Sequence, residues 1–254
     1  MKPSYKDVLP EYPSVLHLPW FPNAKGDKIA TLDDVRPLFE SKNVYVQEKI
    51  DGANCGMTFL DGHPVVRSRT KILRKGQELK NPSTKQFASA WNWMHDRKNW
   101  FQELSEAGPY SVYGEWMIQQ HGMVYDALPE WFVAYDIFDY EKRHFLDQAK
   151  ANKILVGCGF SVIELDFRGC YTAFLTGFLG GETPDKFEDL CQAAGKQIKW
   201  NSELKSGFAV DAKREGTIVK VSDGDWITDR FKMVRQGFDQ GCLLGDEIKR
   251  NKLK

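Results

Sequence analysis

Lys49 stands in the string Val46-Gln47-Glu48-Lys49-Ile50-Asp51-Gly52-Ala53-Asn54, where an apolar run ends and an Asp-Gly pair turns the chain. A lysine held there is a candidate covalent nucleophile toward a nucleotide. Its amine attacks only when neutral, so it needs burial or nearby cations to lower its pKa. Taken alone, K-x-D-G equally describes a solvated lysine leading into a turn. Four further strings decide between those readings: Tyr113-Gly114-Glu115, the aromatic run Trp131 to Asp139, Arg214-Glu215-Gly216-Thr217-Ile218-Val219-Lys220, and Arg230-Phe231-Lys232-Met233-Val234-Arg235. Singly, each reads as an ordinary strand end with a charged residue on it.

In order, the five strings resemble the motifs of the covalent nucleotidyltransferase superfamily of ATP-dependent ligases and mRNA capping enzymes: K-x-D-G, Y-G-E, an aromatic string ending in F/Y-D, E-G-x-x-x-K and a final basic strand. The closer resemblance is to ATP-dependent RNA ligases of the RNA ligase 2 type. Glu48 directly precedes the lysine, Asn54 closes a K-x-D-G-x-N, and Ser68-Arg69 follows shortly after. Tyr12-Pro13-Ser14-Val15 is similar to that family's opening, so the likeness runs from about Tyr12 to Phe238.

The resemblance implies a reaction and a set of roles. Lys49 attacks the α-phosphorus of ATP, pyrophosphate leaves, and AMP passes from lysine to a 5′-phosphate RNA end that is then joined to a 3′-OH. Lys220 and Lys232 are expected to grip the α-phosphate and to depress the Lys49 pKa by like-charge repulsion. Glu215 is expected to bind a divalent metal, Mg²⁺ or Mn²⁺, and Glu115 to lie near the metal or the nucleotide ribose. Tyr135 is expected to stack on adenine with Asp136 behind it, Arg69 to hold phosphate or ribose, Asn54 to support the sugar or the incoming 3′ end, and Glu48 to read the adenine amino group. Asp51 and Gly52 shape the turn that aims the nucleophile. Of His17, His63, His95, His121 and His144, which share no ligand spacing, His121 is the one expected near the site.

Two departures qualify the resemblance. The family's last motif carries two lysines spaced K-x-K, whereas Lys232 is followed at that spacing by Val234, leaving Arg230 or Arg235 to replace the charge. Only 22 residues follow Lys232, too few for an OB or helical C-terminal domain, so the expectation is a minimal catalytic module. Readings from neighbouring classes are a minimal ATP-dependent DNA ligase, a capping guanylyltransferase that would need the OB domain, and a noncatalytic nucleotide- or RNA-binding module supported by Val234.

The elements that must position these residues are mostly strands. Val/Tyr/Phe/Ile-rich runs predict strands over Val44 to Lys49, Gly56 to Leu60, Pro64 to Arg69, Tyr110 to Met117, Trp131 to Phe138, Phe160 to Phe167, Gly216 to Val221 and Ile227 to Val234. Asp61-Gly62 and Asp223-Gly224 read as hairpin turns. Helices are predicted over Thr31 to Phe39, Ser83 to Leu104, Asp147 to Val156, and from Thr183-Pro184 to Gly195, with the stripe Phe87, Trp91, Met94, Phe101 and Leu104 as core. The expected class is α+β: mainly antiparallel sheets with flanking helices, a nucleotidyltransferase (ATP-grasp-like ligase adenylation) domain without a C-terminal OB domain, spanning residues 1–254 with a short basic tail at 236–254.

Composition narrows the context. The 254 residues carry 35 Lys plus Arg and 35 Asp plus Glu, so contact with nucleic acid must come from local patches. Arg67, Arg69, Lys71, Arg74, Lys75, Lys80 and Lys85 stand against the single acid Glu78 and form the candidate strand-binding surface, while the tail Lys249 to Lys254 reads as a solubilising face. Five cysteines without a C-x-x-C pair point to reduced thiols in the cytoplasm. No signal peptide or membrane span is visible. The expected partners are RNA with 5′-phosphate and 3′-OH ends, including nicked duplex, and an end-healing kinase or phosphatase; the expected state is a monomer.

Overall fold

The computed structural model describes residues 4–19, 28–76, 81–174, 203–235, 237–238 and 249–254. Two sheets dominate. The first holds five strands in the order β1 (Leu16–His17), β11 (Ile227–Val234), β10 (Gly216–Ser222), β2 (Val44–Lys49) and β9 (Leu165–Gly169). The second holds six, β5 (Ile72–Leu73), β4 (His63–Ser68), β3 (Ala53–Leu60), β6 (Tyr110–Trp116), β7 (Phe132–Asp139) and β8 (His144–Phe145). All neighbours pair antiparallel except β1 with β11.

Strand alternation assigns the faces. Val44 and Val46 of β2, with Val219 and Val221 of β10, pack with Leu38 of the helix Leu32–Glu40 on the outer face of the first sheet. Tyr45 points the other way, into the cluster between the sheets with Tyr113, Val133 and Tyr135. A third cluster, Trp93, Phe101, Trp116, Phe132 and Phe160, fills the space between the second sheet and its helices. The chain passes from one sheet to the other at residues 50–52, between the end of β2 and the start of β3. Glycine suits position 52, because a Cβ would crowd Met117 Sδ and lie 3.1 Å from both Glu115 Cβ and the Trp116 carbonyl.

Asp61 and Gly62 both take positive φ, 51° and 78°, in the β3–β4 hairpin. The predicted helix over Ser83 to Leu104 is divided instead into Pro82–Lys85, a 3-10 turn Gln86–Ser89, Ala90–Asp96 and Lys98–Ala107. The Gln86 carbonyl accepts the Trp116 indole N–H at 2.7 Å, and Arg97, lying over the rings of Trp93 and Trp100 and paired with Glu130, sits in the break. Tertiary contacts thus override a continuous apolar stripe, whose members are nonetheless all buried. The strand predicted from Phe160 begins later, at Leu165. Phe160 belongs to the aromatic core of the second sheet, while β9 pairs with β2 in the first. The helix predicted over 183–195 lies outside the described residues.

The tail is not merely a solubilising face. Asn251 is 3% exposed, and residues 249–254 form backbone hydrogen bonds with the segment 118–128. Among the described residues, no helix is long and apolar enough to cross a membrane.

The helix Gln148–Gly157 is tied to the first sheet by its N-cap. Asp147 Oδ1 accepts from the Ala149 and Lys150 amides, while Oδ2 accepts from the Tyr45 and Ser222 hydroxyls, each at 2.7 Å. Asp147→Ala is expected to cost about 3 kcal/mol, combining a lost cap with two buried hydroxyls left unpaired. Urea denaturation measures it, and a loss below about 1 kcal/mol would show that those hydroxyls find other partners.

Candidate active site

Lys49 Nζ lies 2.5 Å from Glu215 Oε1, its side chain 21% exposed and that of Glu215 fully buried. Register explains the meeting: Lys49 of β2 pairs with Gly216 of β10, so the residue before Gly216 sits beside the lysine. Burial pulls the Lys49 pKa down, but the charge of Glu215, then those of Glu115 and Asp51, outweigh it and hold the amine above the ordinary lysine value. This corrects the expectation that Lys220 and Lys232 depress it. In this state carboxylates, not cations, set the charge on the nucleophile candidate.

Two cavities meet at Lys49. The first, about 180 Å³, has Gln47, Lys49, Ile218, Lys220 and Lys232 of the first sheet on one side and Tyr12, Asn54, Glu115, Tyr135 and Ile163 on the other. The second, about 630 Å³ and polar, is lined by Asp51, Ser68, Lys71, Gln86 and His121. Lys49, Asn54, Arg69 and Glu115 border both. His121 thus lies at the site as expected, its Nε2 3.1 Å from Gln86 Oε1.

Glu48, 4% exposed, accepts from the Gly207 amide at 2.8 Å, and burial pushes its carboxyl up. Tyr135 accepts from Asn54 Nδ2 at 2.5 Å and its hydroxyl is 3.5 Å from Glu115 Oε1. Arg69 is exposed at the mouth of both cavities. Of the predicted basic surface, Arg67 is withdrawn: it is buried and donates to the Leu9 carbonyl at 3.0 Å. Lys80 lies outside the described residues.

Asp136 anchors a buried charge cluster behind the first cavity. It accepts from Tyr12 Oη at 2.6 Å, from Lys220 Nζ at 2.8 Å and from Arg230 at 3.3 Å. Burial pushes its carboxyl up, yet the charges of Lys220 and Arg230 and their hydrogen bonds hold it below the usual carboxylate range. Lys220 is the surplus cation: burial pulls it down to about 8, Asp136 opposing and Arg230 assisting. Its three protons reach Tyr135 O, Asp136 and Gln148 Oε1, which is a full set for an ammonium. Lys220 therefore lines the cavity while its donors point into the protein, and Lys232 lines the same cavity from β11.

Neither arginine expected to replace the missing second lysine reaches the cavity. Residues 230, 232 and 234 share one face of β11, so Arg230 meets the x-separated spacing on the other side of Lys232. Its guanidinium, however, packs on Phe145 at 4.4 Å and Tyr12 at 5.3 Å beside Asp136, and Arg235 donates to the Arg214 carbonyl. Both arginines are thus engaged away from the cavity, whose lining cations are Lys49, Arg69, Lys220 and Lys232. Tyr12, Gln47 and Gln148 were not expected at the site. Tyr12 carried a signal in the opening string; Gln47 carried one in strand parity with Lys49.

Among the described residues, no group of three or more His, Cys, Asp or Glu converges as a metal site. A hard cation held by one or two carboxylates plus phosphate oxygens needs no such group. Glu115 Oε2 is buried without a hydrogen-bond partner, a donor that fits such an ion.

The family model described as RNA ligase matches residues 42–234. No curated protein matches the chain. Among solved structures, the Naegleria gruberi RNA ligase with PPi is similar at TM-score 0.55 and 16% identity, covering 93% of this chain and 62% of that one. A glutamate-to-alanine variant of that ligase with ATP and Mn gives 0.55 and 17%, covering 94% and 63%, and a lysine-to-alanine variant with ATP and Mn gives 0.53 and 17%, covering 91% and 59%. The chain spans about three fifths of those structures, and identity this low carries the fold alone.

Burial pushes the Glu115 carboxyl up to about 8, the Glu215 and Asp51 charges adding and Lys49 opposing. From about pH 4.5 to about pH 8 the folded protein then holds a proton that the unfolded chain releases, so this residue erodes stability as pH rises through that window. Glu115→Gln removes the dependence. In metal-free buffer its stability relative to the wild type is expected to improve by roughly 3 to 4 kcal/mol between about pH 5 and about pH 8. A pH-independent difference in urea melts would refute the shift.

Proposed function

The chain belongs to the RNA ligase family, and from that membership we propose that it is an ATP-dependent ligase that joins a 3′-OH to a 5′-phosphate RNA end through an adenylate on Lys49. The observation that carries this reading is the position of Lys49 at the junction of the two cavities, flanked by Glu215 and bordered by Glu115, Arg69 and Lys232.

In the proposed cycle the neutral Lys49 amine attacks the α-phosphorus, forming an N–P bond while the P–O bond to the β-phosphate breaks and pyrophosphate leaves. AMP then moves to a 5′-phosphate, and the 3′-OH displaces it. In this reading Lys232 and Arg69, both at the cavity, hold phosphate oxygens, Arg69 through its planar fork. Glu48 and Gln47, both buried at the cavity, supply the polar groups for the base edge, and Tyr135 supplies an aromatic wall. Glu215 and Glu115 would hold Mg²⁺ or Mn²⁺, which when bound neutralises the carboxylates that keep the proton on Lys49. Asp136 acts from behind, fixing Lys220, Arg230 and Tyr12 so that the cavity wall is set before ATP arrives.

The exposed Lys71, Arg74, Lys75 and Lys85 provide a weak, salt-sensitive surface for an RNA strand. The substrate ends are those an end-healing kinase or phosphatase leaves. The free thiols Cys55, Cys158 and Cys170 fit a reducing cytoplasm.

Intact-mass measurement after incubation with ATP and Mg²⁺ or Mn²⁺ is expected to show the addition of one AMP, absent in Lys49→Ala. Arg69→Ala should keep the adduct but slow its formation about tenfold, the worth of one charge-assisted contact. No adduct from the intact protein between about pH 6 and about pH 9 would overturn the proposal. Competition between nicked duplexes with RNA or DNA 3′ ends then reports the acceptor, and a preference for DNA ends would convert the reading to a DNA ligase.

A further inference from the structure

The Asp51-Gly52 turn that follows Lys49 is held by the segment leading from β6 to β7. The Asp51 amide donates to Tyr125 Oη at 2.8 Å, and Asp51 Oδ2 accepts from the Gly122 amide at 2.6 Å. Gly52 packs so closely on Met117 Sδ and the Trp116 carbonyl that a Cβ there would crowd both. That segment in turn is held by the C-terminal residues. Asn251 Oδ1 accepts from the Tyr125 amide at 2.9 Å, and its Nδ2 donates to the Met117 and Gln119 carbonyls at 2.7 and 3.2 Å. The Lys252 amide donates to the Tyr125 carbonyl at 2.9 Å, and Gln120 bonds the backbone of Lys249 and Arg250. Asn251, Tyr125 and Asp51 are 3%, 0% and 9% exposed, so water cannot substitute for these bonds.

We propose that Asn251 is a positioning residue for the nucleophile: through Tyr125 it sets the Asp51-Gly52 turn and thereby the aim of Lys49. The inference rests on the lysyl-AMP reading above. Asn251 is suited to the task because its amide offers donors and an acceptor on one short side chain, and all are spent on a segment of irregular backbone that the sheets do not pair. Segments of that kind relax when a cross-tie is cut, and reacting groups lose rate steeply when displaced by a fraction of an ångström. Tyr125 is the joint, since its backbone is bound by the tail while its hydroxyl is bound by the turn.

The test uses the full chain in two variants, Asn251→Ala and Tyr125→Phe, the second keeping the ring in the core and removing only the hydroxyl. Single-turnover formation of the AMP adduct at saturating ATP is expected to fall about tenfold in both, with the ATP concentration for half-maximal rate changed less than about threefold. The double variant should be no slower than the worse single one, because both cut the same path. Amide hydrogen exchange gives a readout independent of catalysis, and the Asp51 amide should exchange at least about tenfold faster in Asn251→Ala. Wild-type adduct rates in folded Asn251→Ala, or unchanged Asp51 protection, would overturn the proposal. If Asn251→Ala does not fold, Tyr125→Phe decides by rate alone. If the wild type forms no adduct, the ligase mechanism fails, and Asp51 exchange decides whether Asn251 sets the turn.

Discussion

The passage of the chain between two sheets at residues 50–52 is the constraint on which the site depends. Lys49 is the last residue of a strand in one sheet and Asn54 is near the first of a strand in the other, so the cleft between the sheets opens where those side chains face each other. Antiparallel pairing of β2 with β10 then brings Glu215 to the lysine, and pairing of β3 with β6 sets Asn54 opposite Glu115. Backbone hydrogen bonds in register do this without any dedicated scaffold.

Behind the cleft, Asp136 carries the electrostatic strain. One buried carboxylate serves two cations and a phenol, and a buried cluster of this kind gains little net stability over an apolar core of equal volume. Its effect is geometric: it joins β7 of one sheet to β10 and β11 of the other and to the N-terminal Tyr12, so the walls of the first cavity cannot move independently. The aromatic packing of Tyr12, Tyr113, Tyr135 and Phe145 excludes water from that junction and strengthens each charge contact.

Around the site, irregular segments are stitched by side chains. Glu48 holds the Gly207 amide, Asp51 holds Gly122, and Asn251 holds residues 117–125. Each is a buried polar group bound to backbone that no strand pairs, which is how a loop acquires a defined position beside a reactive amine. Val234 belongs to this picture as well. It is buried beside Met233, and Lys232 and Arg69 border the cleft.

Much was legible in the order of residues. Runs rich in Val, Tyr, Phe and Ile marked β2, β10 and β11, and the Asp61-Gly62 pair marked a hairpin, because strand composition and turn dihedrals are local properties. Of the residues that the motif order singled out, Lys49, Glu115, Tyr135 and Lys232 line one cavity and Glu215 pairs with Lys49. What no local pattern could carry was the sign of the electrostatic environment: Lys49 is surrounded by carboxylates and Lys220 turns its protons inward, since net fields depend on which distant groups burial places within a few ångströms. The broken helix near Gln86, the withdrawal of Arg67 and the docking of Asn251 have the same origin. Each is a buried hydrogen bond between residues far apart in the chain, and only the folded packing decides which carbonyl or amide a side chain reaches.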